Sequence, residues 1–497
     1  MKIKEMIKIL TKATFGLLVA SSTLVFAEES QSDYYTIHNI EAPSGIVPEV
    51  GGIEIGPKGE LYVSTRRGNI HHITNYGPGQ KPVWKLWAQG LHEPLGIAWK
   101  DGWLYATQRP EVTKIKDKDG DNRADIFRTI SDRWGINGDY HEYAFGTSHD
   151  KSDNIWVVLC LTGSGGYSSD FRGWAMKVTP RGKAIPIASG IRSPGGIGFN
   201  DAGDVFYCDN QGLWNGSSSL KHLAPGSFQG NPTGWKAYED LSDSLLGGRP
   251  VQPESKSRVS TELKKISSFV PPAAVLPHGR MGQSPTGIIP FPKDGSFGPY
   301  EGQLMVGEQT YSEIQRVYLE QVNGVYQGAA FHFLSGFGSG NIALKMSEDG
   351  VLITGGSNRG WGAKGGKTFA LESVHWNGKV PFEVQKMNAL NDGFKLTFTH
   401  KVDPKTAGSL DSYKMEAFTY IYQSGYGSPE VDKLEPKVTG AKVSEDGMSV
   451  VLTVDKLTEG HVHELAMAGV KSSAGKPLLH AKAYYTLNEI PSPNSIR

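Results

Sequence analysis

Two cysteines, Cys160 and Cys208, are all that 497 residues provide. They allow one disulfide at most, and without a CxxCH run no covalent c-type haem is encoded. Net charge is lacking as well. Lys and Arg total 51 against 51 Asp and Glu, a formal +0, which argues against a nucleic-acid binder or a polyanion-steered surface. Apolar residues reach only 38%. What the chain has in plenty is glycine, 62 residues, with aromatics at 10%, the profile of a turn-rich β architecture. Its length leaves room for a large core and more than one domain.

One phrase recurs six times: a Gly and an apolar run that turns at Gly or Asp into a second strand. It reads GGIEIGPKGELYVSTRRG at 51–68, LGIAWKDGWLYATQRP at 95–110 and FGTSHDKSDNIWVVLCLTG at 145–163. It returns as GGIGFNDAGDVFYCDNQG at 195–212, TGIIPFPKDGSFGPYEGQLMVGEQT at 286–310 and NIALKMSEDGVLITGGSNRG at 341–360. Each copy predicts two short strands of period two around a tight turn. Strand-only units at a period of about 45–55 residues fit radial blades, each covering its neighbour's apolar face. The expectation is all-β: a six-bladed β-propeller over 28–376, with YYTIHNI (34–40) as the outer strand that closes the ring.

Ahead of it, Lys2, Lys4, Lys8 and Lys12 precede an apolar stretch from Phe15 to Phe26. That predicts a signal peptide over 1–27 with cleavage after Ala27 in preference to an anchoring helix, for which the run is short, and it implies a periplasmic or extracellular protein. Cys160 and Cys208 hold equivalent places in the third and fourth repeats; two buried thiols are favoured over a bridge, whose geometry is demanding. In DKDGDNRAD, Asp117, Asp119, Asp121 and Asp125 occupy positions 1, 3, 5 and 9 of a calcium loop. Asn122 stands where such loops need Gly, and no Glu follows at position 12. The turn is either a structural calcium site or an acidic solvated turn. Residues 213–285 break the rhythm and read as a functional insertion with short helices near 235–246 and 260–269.

After Trp376 the repeat stops. Alternating segments at 380–403, 412–423, 441–457, 461–469 and 483–487 predict an antiparallel sandwich over 377–497. The run FKLTFTHKVDPKTAGSLDSY…VSEDGMSVVLTVDKLTEGHVHELAMAGVKSSAGKPL resembles bacterial Ig-like modules beside exported enzymes, which implies a non-catalytic appendage.

In a propeller the segments before the first and after the second strand of every blade emerge on one face. They gather Arg66, His92, Arg109, His141, Arg192, Asn210, Gln211 and Arg359 there, on loops of the kind that carry sites. Three of these segments carry a resemblance. SGIRSPGGIGFNDAGDVFYCDNQG, GDYHEYAFGTSHDKSDNIWV and GLHEPLGIAW resemble segments of soluble, pyrroloquinoline-quinone-dependent sugar dehydrogenases of the glucose/sorbosone type. The resemblance spans about 34–376. It implies His141 as general base toward a sugar hydroxyl and Arg192 as the group that polarises the quinone. It places His92, Arg66, Arg109, Asn210, Gln211, Gly212 and Arg359 around the cofactor, with an activating calcium near Asn210, Gln211 and Gly212. His92 stands where the family has Gln, and Ser193 where it has Asn. The implied partners are a sugar or polysaccharide substrate and a separate electron acceptor such as a cytochrome. Two other readings stay open. One is a carbohydrate- or partner-binding propeller without catalysis; the other is a polysaccharide lyase on uronate-containing glycans, with Tyr140, His141 and Arg192 as its groups.

Overall fold

The glycines of the recurring phrase sit where six inner strands converge. A Cβ on Gly195, Gly196 or Gly198 would come within 2.1–2.4 Å of the carbonyl oxygens of Pro285, Thr286 and Ile288 on the next inner strand. Only a residue without a side chain allows that approach. The inner strands Val50–Ile55, Ile97–Lys100, Ala144–His149, Pro194–Phe199, Pro285–Pro290 and Ala343–Met346 touch in succession, and the last touches the first. Each begins an antiparallel sheet that runs outward, and the ring of sheets is a β-propeller. The computed structural model describes residues 29–241, 246–360 and 362–493; the expected signal peptide lies outside them. Among the described residues no helix is long and apolar enough to cross a membrane.

Apolar residues between neighbouring sheets hold the ring. Ile53, Leu61, Val63 and Ile73 of one sheet, for example, pack on Ile353 and Leu371 of the next around the ring. The N-terminal strand Tyr35–Asn39 pairs with Phe369–Trp376 and completes that last sheet from outside, as its alternation predicted. Both cysteines are free and fully buried.

Two expectations about organisation change. Residues 213–285 are not all insertion, because Ser219–His222 and Pro272–Val275 are the outer two strands of the fourth sheet. The excursion lies between them. It carries a 3-10 helix at Pro232–Asp240 and a single α-helical turn at Val259–Glu262. The C-terminal strands do form two sheets, but one is continuous with the propeller. Lys482–Leu487 pairs with Val325–Leu334, the outer strand of the fifth sheet, to make an eight-stranded sheet. The hairpin Glu313–Val322 and Val325–Leu334 has ten-residue strands, against four to six in the inner strands. Its extra length presents an edge for the sandwich to extend.

Side chains seal this joint. Phe331 of the propeller is fully buried in the sandwich core with Val384, Phe394, Leu396 and Leu452; burying a ring of that size stabilises by about 1.5–3 kcal/mol. Arg280, on the loop before the fifth inner strand, reaches Glu416, Glu430 and Glu464 of the sandwich. The buried Arg316 donates to the carbonyls of Val384 (2.7 Å) and Gln385 (3.0 Å) and is held between the rings of Tyr300 and Phe331.

Candidate active site

Because strands alternate in direction, the loops before each inner strand and after each second strand share one face. They frame a cavity of about 520 Å³. His141, Arg192, Arg66, Asn210, Gln211 and Arg359 all line it. His92, Arg109 and Gly212 do not. His92 is exposed, and its backbone N–H donates to Gln108 Oε1. Arg109 is buried one layer behind the wall, 2.9 Å from Glu93, and donates to the carbonyls of Asp139 and Tyr140. Gly212 lies beneath Arg192.

The walls are tied from below by buried acids at the ends of second strands. Asp209, paired with Lys221 at 3.1 Å, accepts the backbone N–H of Ser193 at 2.8 Å and so fixes the loop that bears Arg192. Glu308 does the same for Gln283 (2.8 Å) and Ser284 (2.5 Å). Burial pushes its carboxyl up, while the backbone donors pull the other way.

The charges in the wall are unequally matched. Arg66 is paired with Glu93 at 2.6 Å and also donates to Tyr143 Oη at 3.0 Å. Arg359 stands 3.4 Å from Glu49. Arg192 is buried and has no carboxylate within ion-pair distance among the described residues. Its Nε donates to the carbonyl of Ser164 (2.9 Å) and its Nη1 to that of Gln211 (2.6 Å). A buried cation held only by dipoles favours an anionic or electron-rich ligand beside it. Two buried acceptors or donors in the same wall also lack a partner among the described residues, Asn210 Oδ1 and His278 Nδ1. Buried polar groups are ordinarily satisfied, so these two mark places where a ligand's polar atoms fit.

His141 lies opposite in chemistry. Asp139 Oδ1 accepts the backbone N–H of His141 and of Gly163, both at 2.8 Å, and stands 3.8 Å from His141 Nδ1. Burial lowers the imidazole below its ordinary value; Asp139 pulls it up, and Arg192 and Arg109 push it further down. The ring is therefore neutral near pH 7 and able to accept a proton. Burial alone would raise Asp139, but the two backbone donors hold its carboxyl below the usual range.

No carboxylate cluster that could hold a metal lines the cavity among the described residues. The carbonyls of Gln211 and Gly212, expected near a calcium ion, accept from Arg192 and from Gly427 N (3.0 Å). A guanidinium at that carbonyl repels a cation, so the Gln211 carbonyl does not suit an activating calcium; of the three residues expected near the ion, Asn210 offers an oxygen, Oδ1, without a partner among the described residues. The acidic loop lies on the opposite face, in a turn between third and fourth strands. Asp117, Asp119 and Asp125 bring oxygens within 4.8 Å of one another, whereas Asp121 stays apart and accepts from Arg123 N at 2.7 Å.

Sequence reasoning named neither Asp139, Glu93 nor His278 as site residues, although all three lie in the loop set that it singled out. Tyr426 had no signal at all. It comes from the C-terminal sandwich, and its ring lies 5.2 Å from Arg192 Cζ.

One family model matches residues 77–330, just over half of the chain, with the description "Domain of unknown function (DUF7133)". The chain belongs to that family. No curated protein matches it in sequence. Among solved structures, one titled glucose dehydrogenase has a TM-score of 0.50 at 14% identity, over 68% of this chain and 98% of its own. A putative glucose dehydrogenase from Thermus thermophilus gives 0.49 at 16% identity, over 68% and 99% of the two chains. The quinone-bound aldose sugar dehydrogenase of Streptomyces coelicolor gives 0.47 at 15%, over 71% and 100%. At 14% identity the first of these likenesses speaks for the fold alone.

Proposed function

We propose that this chain is an exported sugar oxidoreductase whose site is the cavity of the propeller's loop face. In this reading a six-bladed propeller over 28–376 carries the chemistry, and an Ig-like sandwich over 377–497 is appended to it. One observation carries the reading: neutral His141 and the carboxylate-free Arg192 line a single cavity. Oxidising an alcohol requires a base for its hydroxyl proton and an electrophilic environment for the departing hydride. His141 would take that proton at its Nε2, with Asp139 steadying the imidazolium through the other nitrogen.

Arg192 would hold pyrroloquinoline quinone in this cavity, and the chemistry the quinone would supply there is that of a hydride acceptor. Its carboxylates and carbonyls suit Arg192, and Asn210 Oδ1 and His278 Nδ1 are free to meet its polar edge. Arg66, buried in the wall, and Arg359, at the more exposed edge, would add charge while remaining tied to Glu93 and Glu49. The fold's likeness to a structure titled glucose dehydrogenase supports sugars as the substrate class. Calcium, if it acts, would do so structurally, at the acidic turn of the opposite face.

Reconstitution with quinone, followed by dye-linked oxidation across a panel of sugars, tests the reading. The expected result is a bound chromophore and turnover of at least one sugar. An ultraviolet-absorbing unsaturated product from a uronate glycan would point to a lyase instead, and binding with neither product would leave a lectin-like propeller.

A further inference from the structure

Tyr426 is 67% exposed, yet its backbone is not loose. The adjoining Gly427 N–H donates to the carbonyl of Gly212 (3.0 Å), and Trp214 N–H donates to that of Gln423 (2.7 Å). Tyr426 itself bridges Leu213, and Gln423 Nε2 closes the loop on the carbonyl of Gly427 at 2.9 Å. Tyr422, at the root of the loop, is buried and donates to the carbonyl of Gly230 at 2.5 Å. A segment of the sandwich is thus fastened to the propeller loop that lies beside Arg192. It holds a large aromatic ring at the cavity's edge, near the Arg192 guanidinium and still largely open to water. Tyr140, 38% exposed, meets His141 edge-on and is a second exposed aromatic ring beside a cavity-lining residue.

A rigid, exposed aromatic face beside a polar cavity is suited to stacking on the C–H face of a sugar ring. It offers much contact area for little lost rotamer freedom. A monosaccharide held between His141 and Arg192 has no need of a ring standing in solvent. The next unit of a longer chain would lie against it.

We propose that Tyr426 is a substrate-positioning residue contributed by the sandwich, and that the site takes the end of an oligosaccharide rather than a free monosaccharide. This rests on the sugar-binding reading of the same cavity. The test is a glycan array of neutral and uronate-containing tetrasaccharides with their monosaccharide units, probed with full-length wild type, Tyr426→Ala and Tyr426→Phe, and followed by titration of the best tetrasaccharide. Tyr426→Ala should lose roughly ten-fold or more in tetrasaccharide affinity and change little toward the monosaccharide, while Tyr426→Phe stays close to wild type. In the reconstituted enzyme the same loss should appear in KM with kcat retained. Wild-type binding of tetrasaccharides that Tyr426→Ala leaves unchanged overturns this inference alone. A wild type that binds no glycan and oxidises no sugar overturns the functional reading with it.

Discussion

Gly212 lies directly under the guanidinium of Arg192: a Cβ on Gly212 would stand 2.2 Å from Arg192 Cζ. The glycine exists to let that charge lie flat against the chain, where the neighbouring carbonyl of Gln211 receives it. Gly212→Ala should push the guanidinium out of the wall at a cost of about 1–3 kcal/mol. Quinone affinity, followed by the bound chromophore, should fall as it does for Arg192→Ala. Unchanged affinity in both variants would remove Arg192 from the cofactor's surroundings.

His141→Ala should lower turnover by about 10²–10⁴-fold, the usual contribution of a general base, while cofactor binding is spared. Burial holds His141 below 6.5, so a base that must be neutral loses activity only as pH falls through that lowered value. The acid limb should therefore lie below pH 6.5. Asp139→Asn removes the carboxylate that raises the imidazole, and the limb should move further to acid. A limb that moves toward alkaline pH in this variant contradicts the pairing.

Arg280 joins the two parts of the molecule through three glutamates. Burial would raise Glu430, but its bonds to Arg280 and Lys433 hold it below the ordinary carboxylate range. A depressed carboxyl adds stability above its unfolded value and loses it as pH drops through the folded one. Arg280→Met should cost on the order of 1–3 kcal/mol at pH 7, since the cluster is partly solvent-screened. It should cost less at pH 3 than at pH 7, because Glu430 loses its charge as pH falls through its lowered value. Denaturant melts of both proteins at the two pH values measure this, and equal losses at both would assign the clamp's worth to packing.

At the acidic turn, calcium at a hundred times its dissociation constant would stabilise the fold by about 2.7 kcal/mol. Thermal melts with calcium and with chelator should differ for wild type. The difference should vanish in a variant carrying Asp117→Asn and Asp119→Asn, whose ligands lie in the cluster. Asp121→Asn should keep it, because that carboxylate caps Arg123 instead. Identical wild-type melts in both buffers would mark an ordinary turn.

The repeat made the architecture of the propeller legible because its cause is local. Glycines at 195, 196 and 198 and alternating apolar residues are short-range demands of a strand packed near the axis. The same periodicity placed His141, Arg192, Gln211 and Arg359 on one face although they lie far apart in the chain. What the repeat lacks is any record of contacts between unlike elements. That Glu93 pairs with both Arg66 and Arg109, while Arg192 is left to carbonyls, depends on side-chain reach across neighbouring loops. The extension of the fifth sheet into the sandwich depends on an edge left open by a ten-residue hairpin. Tyr426 enters the site only because that sandwich docks beside residues 212–214. Local chemistry is written in sequence spacing; which cation goes unpaired, and which domain closes a cavity, is decided by distances that exist only after the chain has folded.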